Sequence, residues 1–551
     1  MTEMTGGQAL VQSLKIEGID TIFGLPGIQM DFAFDALYDE RDAITVLHTR
    51  HEQACAYMAD GFARTTGRIG TFMVVPGPGL LNAAAGLSTA YACSSPVFAI
   101  SGQIQSDLIG LGRGVLHEIN NQLETISAVC KHVERAMTPQ EIPAMVHRAM
   151  RELQTGRPRP VEIEIPPDVL ERVGDVTLLE PEAFSRAEAD PDLIEQAAEL
   201  LGKAERPLIV SGGGVLSAGA WEELRALSEI LEAPVYMTNN GRGAVSDRDH
   251  RGVTGASALG ALLPEADVVL AVGTRFVMPP RMAAEAPAGQ KFIQLDIDPE
   301  EVGRNRTPDL GIVGDAKRGL ADLVQRVPGH NRARTPRADE LNALKASVTA
   351  EMAKLPVQSS YGLAIREVLP DDGILVSEST QVGYWAHGGG FPVYEPRTMV
   401  TSGYQGTLGY GFATALGAQV GNPDRKVVSI NGDGGFFYNV QELSTMARHN
   451  IPLVAVVFND NAYGNVRRIQ DTRFNGHTIA SDLKNPDIVA MSESFGVPAT
   501  RASSPEELKR ALSDALASNA PHLIEVPMTP TVDLPAAYTM QPLPPRPVLN
   551  L

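Results

Sequence analysis

The chain has 551 residues, 43% hydrophobic and 20% charged, a globular composition with room for about three domains of roughly 100–200 residues each. Its formal net charge of −20 argues against a nucleic-acid or anionic-membrane partner, because both require a basic face. The three cysteines, Cys55, Cys93 and Cys130, form no CxxC pair; they are too few for a disulfide framework and read as reduced thiols of a cytoplasmic protein.

Residues Met1 to Leu10 lack the basic-then-apolar order of a signal peptide. The first block, residues 1–180, alternates helical patterns with short apolar runs at Ala43–Leu47, Ile69–Val75, Val97–Ser101 and Val161–Ile165. Such runs are too short to cross a membrane and suit buried parallel strands with helices on both faces. Glu180–Pro191 is acidic and reads as a linker. A second block, 192–327, repeats the pattern at Leu208–Val210, Val235–Thr238, Val268–Val272 and Phe292–Leu295. Its Ser211-Gly212-Gly213-Gly214 turn, with a helix expected through Leu231, falls short of the GxGxxG fingerprint. Pro328–Arg337 reads as a second linker. The third block, 338–551, has strands expected at Gly373–Val376, Lys426–Ile430, Leu453–Phe458 and Leu523–Val526, and a proline-rich tail from Leu534 without regular structure. The fold class is therefore α/β, with three Rossmann-like, doubly wound parallel-sheet domains.

The third block carries the sharpest chemical signal. The strand Lys426–Ile430 ends in Asn431-Gly432-Asp433-Gly434-Gly435, a helix is expected over Val440–Arg448, and the strand Leu453–Phe458 ends in Asn459-Asp460-Asn461-Ala462-Tyr463-Gly464. One βαβ unit thus places two acidic turns at the carboxyl ends of neighbouring strands, where open α/β sheets bind ligands. Asp433 and Asp460 supply hard oxygen ligands for Mg²⁺. Gly432, Gly434 and Gly435 let backbone N–H groups approach phosphate oxygens. Taken singly, each turn is also what Gly and Asp form on any surface; the pair at this spacing is the signal.

This Gly-Asp-Gly, helix, strand, Asn-Asp order resembles the motif of thiamine-diphosphate-dependent enzymes. The resemblance implies that Asp433, Asp460 and the backbone carbonyl of Ala462 bind Mg²⁺, with Tyr463 and Gly464 beside the cofactor. In the first block Arg50-His51-Glu52-Gln53 is similar to the family segment whose glutamate, here Glu52, hydrogen-bonds the aminopyrimidine ring and promotes the imino tautomer that removes the thiazolium C2 proton. Phe23-Gly24-Leu25-Pro26-Gly27 resembles the first cofactor-side loop, and Gly77-Pro78-Gly79-Leu80-Leu81-Asn82 the segment ending in a cofactor-side Asn. Thr401–Gly409 resembles the segment that bends the cofactor, with Leu408 as apolar wedge and the Gly406 carbonyl toward the amino group. Ser379 and Gln381 match diphosphate-side positions.

The resemblance spans nearly the whole chain and is closest to the acetolactate synthase-like branch, with local similarity to benzaldehyde lyase over Gly409–Gln419. It implies pyrimidine-binding, middle and diphosphate-binding domains, and a homodimer or homotetramer whose active site lies between subunits. Its middle domain holds FAD in acetolactate synthases and ADP, coenzyme A or nothing elsewhere. Three departures concern substrate. His117, in Leu116-His117-Glu118, stands where acetolactate synthases carry Gln toward the reacting carbon. Ile469 stands where they place a pocket-shaping Trp, and Gln29 lies where benzaldehyde lyase carries His near the active-site mouth. The expected reaction is decarboxylation of a 2-oxo acid, pyruvate by default, with transfer to an acceptor carbonyl. The alternatives are a simple decarboxylase, an aldehyde or 2-hydroxyacyl-CoA lyase, and, from another class, a nucleotide-linked oxidoreductase.

Overall fold

The computed structural model describes residues 1–277 and 287–529. Three sheets of six strands organise it, and every pairing within them is parallel. The first runs Thr45–His48, Thr21–Gly24, Gly70–Val74, Val97–Gly102, Val161–Ile165, His132–Arg135. The second runs Gly252–Val253, Val235–Met237, Pro207–Ser211, Val268–Val272, Lys291–Asp296, Leu310–Val313. The third runs Met399–Thr401, Ile374–Ser377, Val427–Gly432, Val454–Asn459, His522–Pro527, Ala499–Arg501. Central strands such as Gly70–Val74 and Val268–Val272 are buried along their whole length, because helices cover both faces and no position is left for a solvated side chain. An antiparallel pair, Thr2–Thr5 with Val173–Val176, lies apart from these sheets.

The first and third units share one buried core. Helix Glu52–Thr66 lies against helix Tyr410–Gly421, and the approach is closer than side chains permit. A Cβ on Gly61 would overlap the Thr414 carbonyl, and one on Gly417 would overlap the Met58 carbonyl. Glycine at both crossing points lets backbone meet backbone and fixes the relative placement of the two units. A second core joins strand residues Leu208, Val269 and Phe292 of the middle unit to Leu341 and Val348 of helix Ala338–Met352 and to Val428 and Val456 of the third sheet.

Several expected elements change form. The strand toward the acidic turn extends to Gly432, and Asp433 opens a four-residue helix, Asp433–Phe436. The helix expected over Val440–Arg448 is a 3-10 turn, Val440–Glu442, followed by an α-helix, Leu443–Arg448. The helix expected to run through Leu231 breaks at Gly219, whose φ of +65 caps Gly213–Ala218 before Trp221–Leu231 begins. The tail from Leu534 falls outside the described residues. Among the described residues no helix is long and apolar enough to cross a membrane, and the three cysteines are unpaired.

Candidate active site

Glu52 is the first residue of helix Glu52–Thr66, just beyond the strand Thr45–His48. His51 caps that helix, its Nδ1 accepting the Gln53 N–H at 3.2 Å. The preceding turn is held from the third unit: both carboxylate oxygens of buried Glu442 accept the Arg50 N–H, at 3.0 and 3.1 Å. Glu52 Oε2 accepts the side-chain amide of Asn82 at 3.0 Å. Asn82 lies in the first turns of helix Pro78–Cys93, so two residues chosen separately along the chain meet. Pro26 and Gly27 stand on the adjacent loop; a Cβ on Gly27 would overlap the Val75 side chain at the next strand's end.

The loop carrying His117 closes over the same region. Gly77 has φ +58, and a Cβ there would overlap the His117 carbonyl oxygen, so the Gly-Pro-Gly turn and the His117 loop are in backbone contact. His117 itself has φ +70, uncommon for a residue with a side chain. Its Nδ1 lies 3.0 Å from Gln29 Oε1, and the Gln29 amide donates to the Leu116 carbonyl at 3.2 Å. Gln29 is 7% exposed and packs against His117. Glu118 gathers the loop by accepting the N–H groups of Arg113, Gly114 and Val115.

On the third unit, Asp433 is 1% exposed. Burial raises the carboxyl of Asp433 above its usual range, and burial together with the charge of Asp433 pushes Asp460 to about 6. A hydrogen bond between the two carboxyls contributes to the second shift. Two neighbouring carboxyl groups, both raised by burial, are suited to a divalent cation, which neutralises both. Gln381 Nε2 donates to Asp460 Oδ2 at 3.3 Å, and Asp460 Oδ1 accepts the Ala462 N–H at 3.2 Å. A Cβ on Gly464 would stand 2.5 Å from Asp460 Oδ2, and one on Gly434 would stand 2.7 Å from the Tyr463 ring. Asn485 escaped the reading of the sequence. Its amide bridges Asp433 Oδ2 at 2.6 Å and Asn459 Oδ1 at 2.9 Å; it follows no strand of the motif, so no local signal marked it. Ser379 contributes a hydrogen bond to the buried Tyr384 hydroxyl. Gly432 borders Thr380, its missing Cβ 3.3 Å from Oγ1.

Between the halves runs the Thr401–Gly409 segment. Gly406 is left-handed, with φ +61 and open space around it, and Leu408 is half-buried. Thr407 Oγ1 lies 2.8 Å from Thr89 Oγ1 on the helix that carries Asn82. Ile469 is half-buried on helix Gly464–Arg473. Among the described residues, the hydrogen bonds of Glu52 and His117 stay within the first unit and those of Asp433 and Asp460 within the third.

Family models match all three units. The N-terminal thiamine pyrophosphate binding domain covers residues 4–125, the central domain 194–323 and the C-terminal thiamine pyrophosphate binding domain 378–526. The chain belongs to the thiamine pyrophosphate enzyme family. This thiamine-pyrophosphate-dependent enzyme is similar to a probable acetolactate synthase large subunit of Methanocaldococcus jannaschii, 36% identical over 97% of this chain and 93% of the relative. It is 34% identical to an acetolactate synthase of Arthrospira platensis, over 96% of this chain and 94% of that protein. It is also 33% identical to a probable 2-ketoarginine decarboxylase of Pseudomonas aeruginosa, over 95% of this chain and 94% of the relative.

The thiamine pyrophosphate enzyme also contains a cavity of about 870 Å³ lined by residues of all three units. Gly213, Gly214, Arg157, Arg275, Asp296 and Gly403 are among its walls. Arg157 is paired with Asp298 and Glu301, at 3.1 and 2.6 Å. Burial raises Asp296 to about 6.

Proposed function

We propose that this enzyme decarboxylates a 2-oxo acid, pyruvate by default, and joins the remaining acyl unit to an acceptor carbonyl, as the name acetolactate synthase describes for its relatives. The observation that carries the reading is the Asp433–Asp460 carboxyl pair behind a glycine turn, together with Glu52 at the end of a strand and held by Asn82. Thiamine diphosphate, when bound, supplies a nucleophilic thiazolium carbon and an electron sink. The protein's part is binding, orientation and proton handling. Asp433, Asp460 and the Ala462 carbonyl would hold Mg²⁺, a hard cation that takes oxygen ligands. The N–H groups of Gly432 to Gly435 take phosphate oxygens, with Ser379, Gln381, Tyr463 and Gly464 alongside. Leu408 and the Gly406 carbonyl would contact the bent cofactor, and Pro26, Gly27 and Asn82 would lie on the side of its pyrimidine. Glu52 holds a proton at the pyrimidine ring nitrogen.

His117 presents Nε2 to the substrate, because Nδ1 is engaged by Gln29. Ile469 shapes the acceptor pocket. The two halves of the site belong to different subunits of a homodimer or homotetramer. Exposed apolar side chains beside each half support this, with Leu81 and Leu116 on one and Tyr438 and Val466 on the other. The middle cavity has a volume suited to a nucleotide such as FAD or ADP. Unpaired cysteines accord with a cytoplasmic setting.

A proton NMR time course with thiamine diphosphate, Mg²⁺ and pyruvate, using Glu52→Gln as control, tests the reaction. Acetolactate formed by the wild type alone supports it; acetaldehyde as sole product overturns the joining step. His117 in place of the acetolactate synthase Gln favours a second reading, decarboxylation without transfer, in which a histidine protonates the product carbon.

A further inference from the structure

Glu378 follows the strand Ile374–Ser377 and is 2% exposed. One oxygen, Oε1, accepts the Gly409 N–H at 2.6 Å. Gly409 has φ +83, and its carbonyl accepts the Asn439 side-chain amide at 2.6 Å. The end of the Gly406–Gly409 segment is therefore clamped at both polar groups of one residue. A Cβ on Gly435 would overlap the Glu378 carboxyl, so the third glycine of the Gly432–Gly435 turn is absent of side chain because Glu378 fills that space. One buried carboxyl thus touches both segments.

The second oxygen, Oε2, is buried without a hydrogen-bond partner in the protein, and so is Oδ1 of Asn431. The orientation of Asn431 is settled by its amide nitrogen, which donates to the Val456 carbonyl at 3.2 Å and to Ser429 Oγ at 3.0 Å. A Cβ on Gly411 would stand 2.5 Å from Asn431 Oδ1 and 3.5 Å from Glu378 Oε2. Both buried acceptors border Gly411, and a buried carboxylate oxygen without a partner costs free energy. A proton on Oε2 removes the unpaired charge there. Burial acts the same way, raising Glu378 to about 8 against the opposing effect of the Gly409 and Tyr410 amides. The phenols of Tyr57 and Tyr384, which sense its charge, are raised by burial as well.

We infer that Glu378 is a positioning residue: as the neutral carboxylic acid it spans the Gly406–Gly409 segment and the Asn431–Gly435 turn and sets their separation around the cofactor. The inference rests on the reading that those two segments hold thiamine diphosphate. It carries a specific consequence. The isosteric amide, which keeps an acceptor for Gly409 and carries no charge in the buried site, should serve in place of the acid.

The test compares Glu378→Gln and Glu378→Ala by amide hydrogen exchange and by calorimetry with thiamine diphosphate and MgCl₂. In Glu378→Gln, exchange at Gly409 and cofactor affinity stay within about threefold of wild type. In Glu378→Ala, Gly409 exchanges about tenfold faster relative to the strand Val268–Val272, and affinity falls about tenfold or more. Loss in Glu378→Gln equal to that in Glu378→Ala overturns the neutral-acid role, and wild-type behaviour of Glu378→Ala overturns the positioning role. If Glu378→Ala does not fold, Glu378→Gln decides alone. If the wild type itself binds no thiamine diphosphate, the cofactor reading fails, while exchange at Gly409 still reports on Glu378.

Discussion

His117 Nδ1 and Gln29 Oε1 lie 3.0 Å apart although 88 positions separate them. The Gln29 amide nitrogen is directed to the Leu116 carbonyl, so Oε1 faces the ring and Nδ1 carries the hydrogen. In that tautomer Nε2 is the acceptor nitrogen. His117→Ala is expected to lower kcat by about 10²–10⁴-fold if the imidazole transfers a proton in the slow step. Gln29→Leu should lower it about tenfold by releasing the ring, with cofactor affinity unchanged in both. Steady-state kinetics with calorimetric cofactor titration check this; wild-type kcat in His117→Ala removes the histidine from the chemistry.

Glu52 keeps its helix-start position and its Asn82 contact whether it carries a carboxylate or an amide. Glu52→Gln is therefore expected to bind thiamine diphosphate nearly as wild type while turnover falls by about 10²–10⁴-fold. A variant of near wild-type rate would take proton handling away from Glu52.

Asp433→Ala removes a buried ligand and leaves Asp460 alone, so Mg²⁺-dependent cofactor binding should be lost. Unchanged affinity by calorimetry contradicts the metal assignment. Asn485→Ala frees Asp433 from its amide partner and is expected to weaken Mg²⁺ binding by about 10–100-fold, a milder loss that separates orienting from ligating.

The carboxyl pair also predicts a pH dependence. Asp460 sits at about 6 in the folded, metal-free protein, against an ordinary value of 3.8. Between those values the folded state holds a proton that the unfolded chain has released. The pair's contribution to stability is thus present below about 3.8 and lost as pH rises through about 6. Mg²⁺ competes with that proton, so its apparent affinity should fall by about tenfold per pH unit below about 6. Calorimetric Mg²⁺ titrations across that range check the slope, and a flat profile counts against a shared proton. Asp460→Asn should flatten it.

Much of the architecture was legible in the chain because buried parallel strands carry their own signature. Val161–Ile165 and Val268–Val272 were bounded to the residue by their apolar runs. Two edge strands were not: His132–Arg135 is half-exposed along its length, and Ala499–Arg501 is half-exposed to exposed and ends in Arg501, so neither has an apolar run to read. The Gly219 break was also hidden, since one glycine in a helical pattern is read as tolerated until its φ is known.

Sequence by itself pointed to the cofactor chemistry, because the acidic turns follow strand ends and their order along the chain resembles the thiamine-diphosphate motif. Glu52, Asp433 and Asp460 needed no tertiary information to be chosen. Tertiary structure alone decided what stands behind them. Asn485 on Asp433, Gln29 on His117, Glu442 on Arg50 and Glu378 on Gly409 are contacts between residues 31 to 392 positions apart or on separate elements. Their side chains carry no local periodicity that points to a partner. They are recognisable only once buried polar groups can be matched to the groups that satisfy them, which is a property of the packed interior and not of any segment.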